Sequence, residues 1–454
     1  MIECRTGGRP TQPIFSQLPG FGILPPVSIQ HSNIQHFLVR IFFSVGEPSG
    51  DLHGANLIRA LAALRPDVEF VGFGGPLMER AGCQLHVDLT ALAVMGFTRV
   101  VGSLHKFLDL ASQADRYFRH QRPDAVVLID YPGFNWWIAR RAKAHGIPVF
   151  YYTPPQIWAW ASWRVAKMRR FVDHVLCSLP FEEPWFRERG CNAAFVGHPY
   201  FDEMSRQSFD ERFADELEAK LAGRPLVAIL PGSRTQEVHH NLPNFLRAAE
   251  HVRRQVPEAR FAVAAFKPHQ AEFARALVRK SGLDADVFLK RTPELIRAAH
   301  SCLACSGSVS LELLSHLKPT VIGYQVKPWT YAFQHMLRKV PYITLVNLLE
   351  TGRIRRDKAD ERRRPANDDP RIPFPEFLTY HDRSAAIAEH TIRWLTQPAA
   401  HAATVARLEK LRARVAGEGA STRGARYIID ALEARPAKPI PRPHYLPQAL
   451  VAGG

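Results

Sequence analysis

The sequence predicts an α/β protein with two Rossmann-like domains, each a parallel sheet with helices on both faces, facing an interdomain cleft. Three observations lead there. Strand-like apolar runs alternate with helical patterns through most of the 454 residues, the pattern of parallel sheets covered by helices. The alternation comes in two series, separated by the polar, helical stretch from Tyr200 to Gly223. Each series opens with a buried strand, a polar turn and a helix. Ligands in such sheets bind beyond the carboxyl ends of the strands.

The first series predicts strands at Phe37–Phe43, Glu69–Phe73, Ala125–Ile129, Val149–Tyr152, His174–Cys177 and Ala194–Val196. Its first strand leads into Ser44-Val45-Gly46-Glu47-Pro48-Ser49-Gly50-Asp51-Leu52-His53-Gly54, then into helical spacing from Ala55 to Leu64. A glycine-rich turn before a helix brings bare N–H groups to a positive helix end, which suits polar or anionic ligands. Glu47 and Asp51 stand inside it, so the turn is suited to meeting sugar hydroxyls rather than cradling a pyrophosphate. An ordinary first turn with a capping Asp fits the same residues. Asp130 ends the apolar strand Ala125–Ile129, just before Tyr131-Pro132-Gly133-Phe134-Asn135. A carboxylate there is placed to act as a general base; it also fits a turn-forming Asp ahead of a proline. His53 and His198, each alone, fit structural roles as well as catalytic ones.

The second series predicts strands at Leu226–Leu230, Arg260–Ala265, Asp286–Leu289, Cys302–Cys305 and Thr320–Tyr324. Pro231-Gly232-Ser233-Arg234 follows the first of them, with helix from Glu237 onward. Ser306-Gly307-Ser308-Val309-Ser310 follows the fourth and opens a helix from Leu311 to His316. Small hydroxyl residues and glycine at a helix start suit a diphosphate, and an Arg in the neighbouring turn pairs with phosphate oxygens. Glu312 lies four residues after Ser308, on the same helix face, within reach of a ribose diol. Taken alone, the second loop is better explained by N-capping serines with a first-turn acid. Two such loops in one domain favour a nucleotide.

Composition narrows the partners. Hydrophobic residues make up 46% and charged residues 22% of the chain, ordinary for a globular protein, but 59 Lys and Arg against 43 Asp and Glu leave a net charge of +16. Such a surface favours anionic partners. The charged run Arg353 to Arg371 lacks interleaved aromatics, so it predicts a solvated loop rather than a nucleic-acid patch. Six scattered cysteines, at 4, 83, 177, 191, 302 and 305, suggest no disulfide framework and a reducing compartment. Cys302 and Cys305 form a single pair without a second in metal spacing, and read as small strand residues. No stretch is long and apolar enough to span a membrane.

The chemistry-bearing blocks, taken in order, closely resemble the lipid-A-disaccharide synthases, glycosyltransferases of the GT-B fold. They stand here as Gly46-Glu47-Pro48-Ser49-Gly50-Asp51, Val94-Met95-Gly96-Phe97, Ile129 to Asn135, Pro155-Gln156-Ile157-Trp158-Ala159-Trp160 and Phe195-Val196-Gly197-His198-Pro199. Leu230 to Val238, Ser306-Gly307-Ser308, Leu311-Glu312, Gly323-Tyr324 and Leu345-Val346-Asn347-Leu348-Leu349 complete the set. Three positions depart from the family pattern: Ser308 replaces a Thr, Val346 a Pro, and the late motif survives as Pro375-Glu376-Phe377-Leu378-Thr379.

The resemblance implies a hexosyltransferase that moves 2,3-diacylglucosamine from its UDP conjugate to 2,3-diacylglucosamine 1-phosphate (lipid X). The product is a β-1,6 disaccharide 1-phosphate, formed with inversion and release of UDP. Implied catalytic residues are Asp130, Glu47 and Arg234. Implied UDP contacts are Ser233, Arg234, Ser306, Gly307, Ser308, Glu312, Tyr324 and Asn347. No metal and no cofactor is expected; Arg234 and the Ser306–Ser308 helix start would balance the charge of leaving UDP. Competing readings are another GT-B UDP-sugar enzyme, such as a peptidoglycan-type glycosyltransferase or a UDP-sugar epimerase, or a non-catalytic basic membrane-binding protein.

Acylated substrates require docking on a bilayer, and the expected place is the inner face of the cytoplasmic membrane. Phe97, Val100, Val101, Leu104, Phe107 and Leu108 recur at helix spacing after Met95-Gly96, with Arg99, His105 and Lys106 among them. The pattern fits an interfacial helix or a core-facing one; the resemblance favours the first, with these residues and Met95 as the acceptor and membrane contact. Expected partners are therefore the two lipid substrates and an anionic membrane, not nucleic acid, with room for a homodimer. The expected division is a disordered extension at 1–36, an acceptor domain at 37–200 and a UDP-sugar domain at 201–380. C-terminal helices at 381–433 pack back across the domains, and a disordered Pro-rich tail occupies 434–454.

Overall fold

The computed structural model describes residues 39–94, 100–357, 359, 361 and 365–434. The predicted extension at 1–36, the tail beyond Ala434, and Met95 and Phe97 lie outside these residues.

The N-terminal half forms a seven-stranded sheet in the order β3-β2-β1-β4-β5-β6-β7. Its strands are β1 (Arg40–Val45), β2 (Glu69–Gly74), β3 (Cys83–Asp88), β4 (Ala125–Ile129), β5 (Val149–Tyr152), β6 (His174–Cys177) and β7 (Ala193–Phe195), all pairing in parallel. The C-terminal half forms a six-stranded parallel sheet in the order β10-β9-β8-β11-β12-β13. These strands are β8 (Leu226–Leu230), β9 (Arg260–Ala265), β10 (Ala285–Leu289), β11 (Ser301–Ala304), β12 (Thr320–Gln325) and β13 (Glu376–Thr379). In both sheets the chain winds outward from a central strand, returns, and winds the other way. The reversal falls between β1 and β4 in one sheet and between β8 and β11 in the other. At such a switch point the flanking connections go to opposite faces and leave a crevice at the carboxyl ends.

Helices cover both faces: α1 (Pro48–Leu64), α2 (Pro76–Arg80), α3 (Val100–Gln121), α4 (Pro132–Ala144), α5 (Val165–Phe171) and α6 (Pro199–Met204) around the first sheet. Around the second are α7 (Thr235–Gln255), α8 (Val309–Ser315), α9 (Pro328–Leu337) and α10 (Ser384–Thr396). The final helix, α11 (Ala420–Glu433), packs back on α1 of the first half. Asp202 in α6 holds it there, accepting from the N–H groups of Gly419, Ala420 and Ser421 at 2.6, 3.1 and 2.7 Å.

The sheets meet through segments that leave their carboxyl ends. Glu312 on α8, after β11, accepts from Tyr200 Oη at 3.2 Å and Gln207 Nε2 at 3.3 Å, both in the chain that follows β7. Beyond α9, Lys339 donates its N–H to the Ala159 carbonyl at 2.9 Å, in the segment after β5. The two carboxyl-end surfaces therefore face each other.

Several expectations need correcting. The first strand starts at Arg40, and α1 starts at Pro48 rather than Ala55. Pro48 fits the first helical turn, where no N–H partner is needed, so Gly50 and Gly54 lie inside α1 rather than in a turn. There they permit close packing: a Cβ on Gly54 would lie 2.8 Å from Met78 Sδ, and one on Gly50 2.8 Å from Val45 Cγ1. The edge strands β3 and β13 were not predicted. In β3 exposed residues alternate with more buried ones, so no continuous apolar run marks it; β13 is buried but opens with the carboxylate of Glu376. The charged run at 353–371 is not a freely solvated loop. Asp369 is buried and pairs with Arg371 at 2.6 Å while accepting from Tyr342 Oη at 2.8 Å; the Arg356 side chain is 5% exposed and pairs with Glu361 at 2.7 Å.

Candidate functional site

Asp130 follows β4 at the first switch point. Its backbone is left-handed, with φ 46°, and Tyr131 next to it has φ 44°. Two consecutive non-glycine residues in that region cost about 1–3 kcal/mol each and persist only when the surroundings hold them. Two fixed donors do so. Asn135 Nδ2 donates to the Asp130 carbonyl at 2.8 Å, and Tyr151 Oη donates to the same oxygen at 2.6 Å. Asn135 is fully buried; its Nδ2 also donates to the Ser44 and Ile129 carbonyls, both at 3.2 Å, while its Oδ1 accepts from Ser44 Oγ at 2.7 Å. One side chain thus ties the end of β1 to the end of β4. Gly46, after β1, has the Tyr131 ring where a Cβ would stand.

The carboxyl group of Asp130 lies over the first turn of α1: a Cβ on Gly50 would be 3.8 Å from Asp130 Oδ2. Burial pushes it up to about 7, with the charges of Glu47 and Glu182 adding to the effect. Glu47 caps α1 from an exposed position and makes no side-chain capping bond. Glu182 was not foreseen. It is fully buried beyond β6, accepts from Trp158 Nε1 and from the N–H groups of Ser178 and Leu179, each at 3.0 Å, and is itself pushed up to about 7 by burial. Its only sequence signal was Trp158, inside a recognised block. A base near neutrality is well matched to taking a proton at physiological pH.

Asp51 plays no part in the crevice. Its carboxylate accepts from the N–H groups of Gly75, Leu77 and Met78 at 3.0–3.1 Å and so caps α2. His53 and His198 have rings 6.1 Å apart, and burial pushes them down to about 4 and about 3. Both are neutral at pH 7, and His198 Nδ1 accepts from the Tyr200 N–H at 3.2 Å.

At the second switch point the two predicted loops lie side by side, because β8 and β11 are neighbours: the Cys305 N–H donates to the Leu230 carbonyl at 2.9 Å. Gly232, with φ 129°, turns the chain where the Glu237 side chain fills the space of a Cβ. Asn241 Nδ2 holds the Pro231 carbonyl at 3.0 Å and Gln270 Nε2 the Ser233 carbonyl at 3.0 Å. The 21-residue α7 starts directly behind this turn, with its positive end there. Arg234 is its N-cap. Its side chain is 80% exposed and only loosely paired with Glu237 at 3.4 Å, a contact worth little in solvent, so the guanidinium can swing to a phosphate. Tyr324, at the end of β12, is half-buried, its phenol raised by burial and by Glu237.

Ser233, Gly307 and Ser308 are exposed on these loops; Ser306 Oγ donates to the Ile343 carbonyl at 2.7 Å. Glu312 is buried and spends its carboxylate on Tyr200 and Gln207. The structure does not bring Asn347 to this surface. It is fully buried, donating Nδ2 to the Phe374 carbonyl and Glu376 Oε1 at 2.7 Å each and accepting from the Phe374 N–H at 3.2 Å. Its amide is consumed in fixing β13.

In α3, Phe107 is half-buried and faces inward, its ring 6.4 Å from Tyr131 and 5.7 Å from Phe134, whereas Leu108 is 41% exposed. Val100, Val101 and Leu104 lie on the helical backbone of α3. Among the described residues no three His, Cys, Asp or Glu side chains cluster to hold a metal ion, and no helix is long and apolar enough to cross a membrane.

Comparison with known proteins adds three findings. A family model described as lipid-A-disaccharide synthetase matches residues 41–368. A lipid-A-disaccharide synthase from Myxococcus xanthus is 32% identical over 393 residues, covering 87% of this chain and 97% of its own. One from Alkalilimnicola ehrlichii is 38% identical over 318 residues, covering 68% and 82%. Among solved structures, a UDP-GlcNAc 2-epimerase from Neisseria meningitidis bound to UDP-GlcNAc superposes with a TM-score of 0.55 at 10% identity, over 87% of this chain and all of the other. The calicheamicin glycosyltransferase CalG4 gives 0.52 at 14% identity, over 87% and 98%. The latter pair share the two-sheet GT-B architecture.

Proposed function

The chain belongs to the lipid-A-disaccharide synthase family, and from that premise we propose that Asp130 is the base of its transfer reaction. The protein is a glycosyltransferase of lipid A disaccharide synthesis. In the proposed reaction the donor is UDP-2,3-diacylglucosamine and the acceptor is lipid X. Asp130 takes the proton of the acceptor 6-hydroxyl as that oxygen attacks the donor anomeric carbon from the face opposite UDP. The bond from that carbon to the β-phosphate oxygen breaks, the configuration inverts, and UDP departs with the electron pair. Arg234 and the positive end of α7 meet the charge that builds on the leaving diphosphate. Glu47 lines the same crevice and keeps Asp130 basic.

The observation that carries this reading is the clamped, left-handed Asp130 at a switch point, with its carboxyl group raised to about 7. Asp130→Asn keeps the shape and removes the basicity. Turnover with a UDP-diacylglucosamine donor and lipid X should fall by about 10²–10⁴, with UDP affinity unchanged. Near-normal turnover by a folded Asp130→Asn protein would remove Asp130 from the role.

The acyl chains of both substrates favour work at the inner face of the cytoplasmic membrane, with α3 as a docking element. Phe107 supports this by linking the helix to Tyr131, the residue after the base. Leu108 is an outward apolar group of α3.

A further inference from the structure

We infer that the C-terminal half makes its own contact with an anionic lipid surface, through the outer face of α9 and the Trp160–Trp163 segment beside it. The inference rests on the reading that the protein docks on a bilayer, and adds a second surface to it. None of the side chains of α9 is buried. Trp329, Phe333 and Met336 are spaced four and three residues apart, hence on one face, and are 70, 56 and 71% exposed. Trp160 and Trp163 are 43 and 63% exposed. The two segments are joined: Lys339 donates its N–H to the Ala159 carbonyl at 2.9 Å and its Nζ to Ser162 Oγ at 2.6 Å. Five large apolar side chains held outward in one region are unusual on a soluble surface and mark a contact site.

Charge says what covers it. Residues 156–171 contain four Lys or Arg and no Asp or Glu; residues 327–342 contain no Asp or Glu and, with Arg338 paired to Glu361 at 3.6 Å, leave Lys327 and Lys339 as exposed cations. Lys167, Lys327 and Lys339 are exposed. The Arg164 guanidinium lies 4.8 Å from the Trp160 ring and 5.9 Å from that of Trp163. Tryptophan beside basic side chains is the composition that settles at the headgroup level of anionic bilayers. A second copy of the chain fits poorly: a two-fold contact would set this basic face against itself. The location also suits lipid. α9 leaves from the carboxyl end of β12 and α3 enters from the carboxyl-end side of the first sheet. On that side the second half presents α9 with its exposed Trp329, Phe333 and Met336, and α3 of the first half presents the exposed Leu108.

The test compares sedimentation with phosphatidylglycerol–phosphatidylethanolamine vesicles and with phosphatidylcholine vesicles. Trp329→Ser, Phe333→Ser and Met336→Ser together should lower the bound fraction at limiting anionic lipid by fivefold or more. UDP affinity and melting temperature should stay as in the parent, since the three side chains are exposed. Lys167→Glu with Lys327→Glu should abolish the preference for phosphatidylglycerol, and this pair decides the matter if the triple variant melts early. If both sets bind as the parent does while Leu108→Ser does not, docking runs through α3 alone; the inference falls and the bilayer reading stands. A parent protein that ignores vesicles removes both. Light scattering that shows a parent dimer and a monomeric triple variant would assign the face to a second copy and overturn the inference.

Discussion

Asn135→Ala tests whether the backbone clamp is what aims Asp130, the proposed base. The substitution removes four hydrogen-bond contacts, to Ser44 Oγ and to the carbonyls of Ser44, Ile129 and Asp130. The two N–H protons are shared among three carbonyls, so about three full hydrogen bonds are lost at about 1 kcal/mol each, and the buried groups left unpaired bring the loss to about 4 kcal/mol. For a domain of this size 1 kcal/mol moves the melting temperature by about 2–4 °C, so a fall of roughly 8–16 °C is expected. Activity should fall further than stability explains. The Asp130 carbonyl keeps only Tyr151 Oη as a fixed donor, and the two left-handed residues are free to relax. A displacement near 1 Å at a reacting group costs about 10² in rate. Turnover measured well below the variant's melting point should therefore drop about 100-fold, with UDP affinity unchanged. Tyr151→Phe removes one donor to the same oxygen, leaves Asn135 in place, and should cost about 1 kcal/mol with a much smaller loss of rate. A folded Asn135→Ala protein that turns over within twofold of the parent would show that the clamp does not position Asp130.

The pH dependence follows from the same carboxylates. A base must be ionised, so turnover should rise through about pH 7, and Glu47→Gln should move that limb to lower pH by removing a neighbouring charge; an unmoved limb would assign it to another group. Both Asp130 and Glu182 are raised above their ordinary 3.8 and 4.5. The folded state thus holds extra protons between about pH 4 and pH 7, and stability contributed by these groups falls as pH rises across that window. Glu182→Gln should flatten the dependence, read as melting temperature against pH. Arg234→Ala should weaken UDP binding by roughly 10- to 100-fold in calorimetry, the worth of a charged hydrogen bond. Asn347→Ala should instead lower the melting temperature and leave the UDP affinity of the folded protein intact.

What was legible in the sequence was what burial dictates locally. Ala125–Ile129, Val149–Tyr152, His174–Cys177, Leu226–Leu230 and Arg260–Ala265 were readable to the residue, because strands covered on both faces are continuous apolar runs. β3 was not, because at its sheet edge every second residue is exposed; β13 was not, because it opens with Glu376, a carboxylate buried only through partners at Ile343, Thr344 and Asn347. The glycine-rich stretch after β1 misled for a related reason. Gly50 and Gly54 are small because Val45 and Met78 press on them, and helix packing and turn chemistry write the same letter. Asn347 shows the limit of motif reading. It lies in a recognised block, yet its amide faces Phe374 and Glu376, contacts set by a segment some thirty residues away.

The proposed base depends on residues no local reading could assemble. Asp130 is visible as a carboxylate ending an apolar strand. Its chemistry is not, because the raised proton affinity needs Glu47 from the end of β1 and Glu182 from beyond β6, and its direction needs Asn135 and Tyr151. Sheet order supplies these neighbours. Placing β1 next to β4 puts Glu47 and Asp130 at one switch point, and placing β8 next to β11 puts Arg234 and the Ser306–Ser308 loop at the other. The contacts of Glu312 with Tyr200 and of Lys339 with Ala159 then turn the two switch points toward each other. The proposed reaction needs a base on one side of a sugar and an anion site on the other, and that topology offers both with two loops from each sheet. In the proposed reaction Asp130 and Arg234, more than a hundred positions apart in the chain, serve one displacement.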